Sequence, residues 1–167
     1  MNILHYLQPA IAFVMGVSSL YIVYMVMNQY LRKTIGIPEV NMAYATLQTG
    51  VILSTGLLVS SVVGPGINAI RFLNQSVFEL QTLVISLAYV LFFQIIGILF
   101  SFLTIAGGLI TLFQLTRVNE WEEIRQNKVG TALISSALIV ALALIMRDNV
   151  SMICEGLIPY PEVIQIR

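Results

Sequence analysis

The residues best equipped for chemistry form an acidic cluster in the second half of the chain. Glu120, Glu122 and Glu123 surround Trp121, and paired carboxylates can bind a divalent cation or exchange protons. No histidine or cysteine accompanies them, and Asn119 with Glu122 three residues later has the spacing of a helix-capping box. Acidic side chains also suit the positive end of a helix dipole. The pattern therefore favours a capped, solvated turn over a metal or catalytic site.

A second group of candidates lies within long apolar stretches. Gln48 and Gln94 are the most deeply placed amides, and such amides either join helices by hydrogen bonds or line a pore. Gly50, Ser135 and Ser136 are each four residues from another small residue, a spacing that lets helix backbones approach closely. These five are our predicted helix-packing or pore-lining residues. No acidic or basic residue lies mid-stretch, which argues against a proton pump or an ion-coupled carrier.

The amino-acid composition indicates the medium in which the protein folds. The chain has 167 residues, enough for a single domain, and 58% of them are hydrophobic while 10% are charged. Soluble domains carry about 25% charged residues, so lipid is the expected surrounding. Eight basic residues balance eight acidic ones, unlike the basic excess of nucleic-acid binders. The single cysteine excludes an intramolecular disulfide and a cysteine-cluster metal site.

Four charge-free runs of the sequence can each hold one transmembrane helix. The predicted spans are 10–31, 42–63, 88–115 and 130–146. Pro9 suits an early helix position, Gly64, Pro65 and Gly66 are expected to end the second span, and Arg147 with Asp148 to end the fourth. Residues 67–81 have one apolar face, which predicts a helix in the membrane interface or, equally, an amphipathic loop packed on the bundle.

The basic residues predict the orientation. Five lie in the first and third connections and three on the opposite side. Because positive residues favour the cytoplasm, both termini are expected outside it. The two sets are Arg32, Lys33, Arg117, Arg125 and Lys128 against Arg71, Arg147 and Arg167.

The two halves of the chain share one plan. Residues 41–50 can be laid on residues 127–136 at an offset of 86, and both stretches follow a connection. This predicts two parallel two-helix repeats, 10–63 and 88–147, followed by a tail at 148–167. We expect the second and fourth helices to pack centrally, either within one chain or between the subunits of a homo-oligomer.

The most distinctive stretch, residues 119–133, reads NEWEEIRQNKVGTAL. It resembles the small bacterial inner-membrane proteins grouped as domain-of-unknown-function family 350, and the resemblance extends over residues 10–147. The family looks like two copies of a two-helix unit, each with an acidic-aromatic connection, an asparagine and a small-residue helix. The resemblance implies a multi-pass inner-membrane protein without known catalysis. It also implies association with envelope-stress systems, including phage-shock-like coat proteins.

Together these observations predict a single all-α membrane domain over residues 1–167 with four transmembrane helices. We expect a non-enzymatic, homo-oligomeric scaffold of the inner membrane with no cofactor, no bound metal and no nucleic-acid partner. Its cytoplasmic connection would dock a stress or coat protein through Glu120, Trp121, Glu122, Glu123 and Arg125. The alternative is a subunit of an oligomeric channel for an ion or small solute, lined by the second and fourth helices.

Overall fold

The protein is seen here as a computed structural model, which describes residues 3–36, 39–73, 80–116 and 119–158. These residues contain five helices and no strand. Four of the helices are long and apolar enough to cross a membrane, so the predicted all-α membrane architecture is confirmed. The helices are α1 (Ile3–Ile35), α2 (Met42–Leu73), α3 (Leu80–Leu115), α4 (Glu120–Arg125) and α5 (Val129–Gly156).

The long helices exceed the predicted spans. The prediction that Gly64, Pro65 and Gly66 end the second helix is wrong, because α2 continues through them to Leu73. Pro65 and Gly66 are buried there, and packing against neighbouring helices is what makes proline and glycine tolerable in a membrane helix. Likewise, Pro9 lies inside α1, and α5 continues past residues 147 and 148. At 32 residues, α2 is about 48 Å long, so it must tilt or protrude from a hydrocarbon core of about 30 Å.

The predicted interfacial helix at 67–81 is not a separate element. Residues 67–73 form the last turns of α2, and α3 already begins at Leu80; residues 74–79 lie outside the described part of the chain. Ile70, which belongs to the predicted apolar face, is buried in a cluster with Met15 of α1 and Val90 of α3. The apolar face of 67–73 is therefore covered by the protein's own helices, which is why it does not lie along the membrane surface.

Helix α2 is the centre of the bundle. Its most extensive contacts are with α5 and then with α3, and 56% of its most apolar part is buried compared with 22% for α1. Helices α2 and α5 run parallel, because their early residues share one apolar cluster and their late residues share another. The first cluster joins Ala43 and Leu47 to Ala132 and Ile139; the second joins Leu58 and Ala69 to Ala143 and Cys154.

Large apolar side chains cover the outside of the four long helices. Phe13, Leu103 and Ile145 are among the many that are more than half exposed. Such a surface is stable only in contact with lipid or another apolar partner. We call the end of the bundle that carries α4 and the starts of α2 and α5 the connection end.

Candidate functional site

Two asparagines join the α4 connection, residues 119–128, to the start of α2. Asn41 precedes α2 and accepts a hydrogen bond from the Tyr44 amide at 2.8 Å, while its own amide group donates to the carbonyl oxygens of Ile124 and Arg125 at 2.9 and 3.3 Å. Asn127 accepts from the Ala43 amide at 3.0 Å. Two otherwise unpaired donors at the start of α2 are thus satisfied. We call this arrangement the asparagine clasp.

Asn127 can reach across because of its backbone conformation. It has a φ of +64°, and it is the one described residue other than glycine with a positive φ. Asparagine tolerates this left-handed region better than most residues. The turn between α4 and α5 therefore directs the Asn127 side chain toward the start of α2.

The predicted capping of α4 is confirmed in part. Asn119 is the N-cap and its side chain accepts from the Glu122 amide. The Glu122 carboxylate does not complete the box; it accepts from Gln126 at 3.1 Å and lies 3.7 Å from Arg125. The half-buried ring of Trp121 packs on Phe113 with a centroid distance of 4.8 Å. Helix α4 is thus held at its start and along one side.

The predicted docking residues separate into an inner and an outer set. Glu120 is only 1% exposed, so it does not belong to the outward surface; its Oε1 has no hydrogen-bond partner among the described residues. Glu122 and Arg125 are exposed, and their ion pair is a surface contact of small energetic value. The outward face of α4 therefore consists chiefly of Glu122 and Arg125.

Glu123 ties the connection to α5. Its carboxylate accepts from the Thr131 hydroxyl and, at 2.9 Å, from the Lys128 ammonium. These hydrogen bonds, that of Thr131 first, hold the pKa of Glu123 below its usual value. A carboxylate near the start of α5 also matches the positive end of that helix.

Gly50 and Ser136, two of the residues predicted to pack helices or to line a pore, lie at the crossing of α2 and α5. A Cβ atom added to Gly50 would lie 2.6 Å from the Cα of Ser136, so the two backbones touch there. The Ser136 hydroxyl donates to the carbonyl oxygen of Thr46 at 2.8 Å. Ser135 is also buried and donates to the Thr131 carbonyl within α5. At this level α2 and α5 leave no path between them within one chain.

The two glutamines have different surroundings. Gln94 donates to the Ser18 hydroxyl at 2.7 Å and so links α3 to α1. Gln48 is 6% exposed and donates at 2.7 Å to the Tyr44 hydroxyl, which in turn donates at 2.7 Å to the Asn28 side chain on α1. Gln94 therefore forms a hydrogen bond between helices, as polar residues in membrane helices commonly do, whereas Gln48 bonds within α2 to the tyrosine that links α2 to α1.

A crevice lined by both polar and apolar residues opens between α1 and α2 beside Gln48. It has a volume of about 280 Å³, and Asn28, Arg32, Tyr44 and Gln48 are among its lining residues. The roles of Tyr44 and Arg32 in this site were not predicted from the sequence. The sequence pattern that could have indicated them is helical spacing. Asn28 and Arg32 are four residues apart on α1, Tyr44 and Gln48 are four apart on α2, and residues four apart share a helix face.

Within the described residues, no group of three or more histidine, cysteine, aspartate or glutamate side chains could hold a metal ion. The acidic residues of the connection point in different directions: Glu120 is buried, Glu122 faces solvent and Glu123 faces Thr131. Of the three, Glu123 anchors the connection to the start of α5.

Four apolar helices joined by polar links define a multi-pass membrane protein. Residues 1–150 match the family described as Domain of Unknown Function (DUF350), and the chain belongs to that family. The resemblance seen in residues 119–133 is thereby confirmed. No curated protein and no solved structure matches the chain.

Proposed function

We propose that this protein is a non-catalytic scaffold of the bacterial inner membrane that recruits a cytoplasmic stress or coat protein through the outward face of α4. The observation that carries the proposal is the anchoring of the connection. The asparagine clasp, the Trp121–Phe113 contact and the Glu123–Thr131 hydrogen bond hold it to the bundle. A surface fixed in this way loses little conformational entropy on binding.

The proposed orientation places the connection end in the cytoplasm. The excess of basic residues in the first and third connections supports it. The start of α1 and the end of α5 then face the other side of the membrane. Such a protein would display α4 to cytoplasmic proteins at the level of the lipid headgroups.

The proposal includes assembly into a homo-oligomer of chains built from two parallel repeats. Residues at equivalent positions of the two repeats, Gly50 and Ser136, meet at the α2–α5 crossing, as an axis between parallel repeats requires. A further stripe of small residues on α2 is open: a Cβ at Gly56 or Gly64 would meet nothing within 4 Å, and Ser60 between them is exposed. This spacing suits close contact with a helix of a second copy.

Recruitment to vesicles tests the scaffold proposal. Purified protein is reconstituted into liposomes, and a purified coat protein of an envelope-stress system is floated with them on a density gradient. The variant Glu122→Lys/Arg125→Glu reverses the outward face of α4 and leaves the buried Glu120 and the anchoring Glu123 intact. We expect at least a tenfold loss of co-flotation.

The matched control is Arg147→Glu/Asp148→Lys, which reverses two exposed charges far along α5 and should leave co-flotation unchanged. Equal co-flotation with the wild type and both double variants would overturn the proposal.

The same liposomes test the alternative, a channel subunit. Ion flux that Gln48→Leu or Gln94→Leu alters would favour a pore between copies of the chain and count against a scaffold.

A further inference from the structure

Helix α5 carries two adjacent and opposite charges in its second half. Arg147 and Asp148 are both exposed, and neither forms an ion pair with any described residue. Successive residues of a helix point about 100° apart, so neither charge can serve as the partner of the other. Helix α5 does not end there but continues to Gly156. The two charges therefore interrupt a helix that goes on beyond them.

Two contacts between helices show where these charges lie along the bundle. Gly50 of α2 lies beside Ser136 of the parallel helix α5. Twelve residues further along each helix, Val62 is therefore level with Asp148. A Cβ added to Gly97 of α3 would lie 3.0 Å from a methyl carbon of Val62. The residues around Gly97 thus show what surface surrounds the two charges.

That surface is apolar at the level of the charges and beyond it. Ile95 and Leu99, on either side of Gly97, are more than half exposed. Farther from the connection end, so are Leu91 on α3 and Met152 on α5. If the hydrocarbon core covers this surface, unpaired charges lie in lipid; if the core ends at the charges, the apolar side chains beyond them lie in water. A single chain is mismatched to its surroundings in either placement.

The side of α5 that carries Arg147 has the residue spacing of a coiled-coil seam. Its members follow one another at intervals of four and three residues, and each is exposed or half-buried in the single chain. Such spacing keeps one stripe of a helix facing a parallel partner helix. We call this stripe the α5 seam. It consists of Leu133, Ala137, Val140, Leu144, Arg147 and Ser151.

We propose that the α5 seam binds the α5 seam of a second copy of this chain, with Arg147 of each copy paired with Asp148 of the other. In a parallel pair, residues of the same number lie at the same level, and each seam side chain fits between four residues of the facing helix. Arg147 of one copy therefore lies opposite residues 147 and 148 of the other. The contact covers the apolar members of the seam and neutralises both charges.

The order of the two charges identifies a second copy as the partner. An arginine followed by an aspartate is complementary to itself about a two-fold axis, because rotation exchanges the two ion pairs. A second copy inserted in the same orientation presents these charges at the same depth. An anionic lipid headgroup would attract Arg147 but would repel the adjacent Asp148. The inference rests on the homo-oligomer part of the proposed function and names its contact, and it does not involve α4.

Disulfide cross-linking of the full chain in liposomes tests the seam. Leu144→Cys places a thiol in the seam, and Ile145→Cys places one on the next residue, which is also more than half exposed but points about 100° away. Because a disulfide needs Cβ atoms within about 4.5 Å, we expect Leu144→Cys to form dimers roughly tenfold faster than Ile145→Cys. The wild type is the blank, since its Cys154 is buried. Equal rates for the two variants would overturn the seam.

Exchange of the charges tests the ion pairs. Added to Leu144→Cys, Arg147→Glu leaves only acidic groups at this level of the seam and should slow dimer formation roughly fivefold, the scale of a polar contact between membrane helices. Arg147→Glu/Asp148→Lys exchanges the positions of the charges, keeps them complementary and should restore the rate. No loss in Arg147→Glu, or no recovery in the double variant, would refute the reciprocal pairing.

A cysteine on α2 separates this inference from the homo-oligomer proposal. Ser60→Cys reports contact through the open stripe of small residues on that helix. Dimers with Ser60→Cys but not with Leu144→Cys would overturn the α5 seam and leave the homo-oligomer in place. Dimers with neither would overturn both. Dimers with Leu144→Cys support the seam whatever Ser60→Cys gives, and recruitment by α4 is measured separately by co-flotation.

Discussion

Helices α5 and α1 are both attached to α2, but by different chemistry. At the α2–α5 crossing the backbones touch at Gly50 and Ser136. The polar links of α1, by contrast, run between side-chain ends: Asn28 to the Tyr44 hydroxyl of α2 and Ser18 to Gln94 of α3. Close packing of small residues thus builds the centre of this membrane bundle. Directional hydrogen bonds help hold the peripheral helix and leave room for a crevice beside it.

The largest effect is expected where the backbones touch. Gly50→Ala should destabilise the protein by about 1–3 kcal/mol, because the new methyl group meets the Ser136 backbone, which cannot move aside as a flexible side chain would. The measurement is unfolding of the protein in mixed micelles with increasing denaturing detergent. Gly56→Ala is the control, since its Cβ has open space, and alanine favours a helix by about 0.5–1 kcal/mol over glycine. Equal stability of the two variants would contradict backbone contact at the crossing.

A smaller effect is expected at the peripheral helix. Gln94→Leu removes the hydrogen bond to Ser18 and should cost about 1 kcal/mol, the usual scale for polar contacts between membrane helices. A double-mutant cycle with Ser18→Ala, measured by the same unfolding assay, isolates that bond. The two changes should be less than additive. Additive losses would mean that the two side chains stabilise α1 separately.

The smallest effect concerns pH and the link between α4 and α5. Because hydrogen bonds lower the pKa of Glu123 from its ordinary value of 4.5, its ionised form stabilises the fold above that value. This contribution is lost as the pH falls through the lowered pKa of the folded protein. Thermal unfolding below pH 4.5 should therefore be less pH-dependent in Glu123→Gln than in the wild type. Equal pH dependence of the two proteins would contradict the contribution of the ionised Glu123.

The central contact could be predicted from the sequence, whereas several helix ends could not. Gly50, Ser135 and Ser136 each lie four residues from another small residue, and this spacing indicates close helix packing without knowledge of the partner helix. Helix ends depend on tertiary contacts. Pro65 would end an isolated helix, but burial against neighbouring helices keeps α2 continuous through it.

The candidate sites were predicted only in part for a similar reason. The N-cap role of Asn119 follows from local spacing. The burial of Glu120 and the direction of Asn127 depend on how α4 lies against other helices, which no local pattern encodes. The crevice joins residues of two helices, so it can be recognised only once α1 and α2 are placed against each other.

The asparagine clasp also constrains the assembly of the protein on the ribosome. The Ala43 amide depends on a side chain 84 residues later in the chain. At translation rates of about 5–20 residues per second, the first hairpin waits roughly 4–17 s for that group. During this interval the Ala43 amide at the start of α2 is an exposed donor, available to insertion factors, and it is satisfied only when the residues that precede α5 arrive.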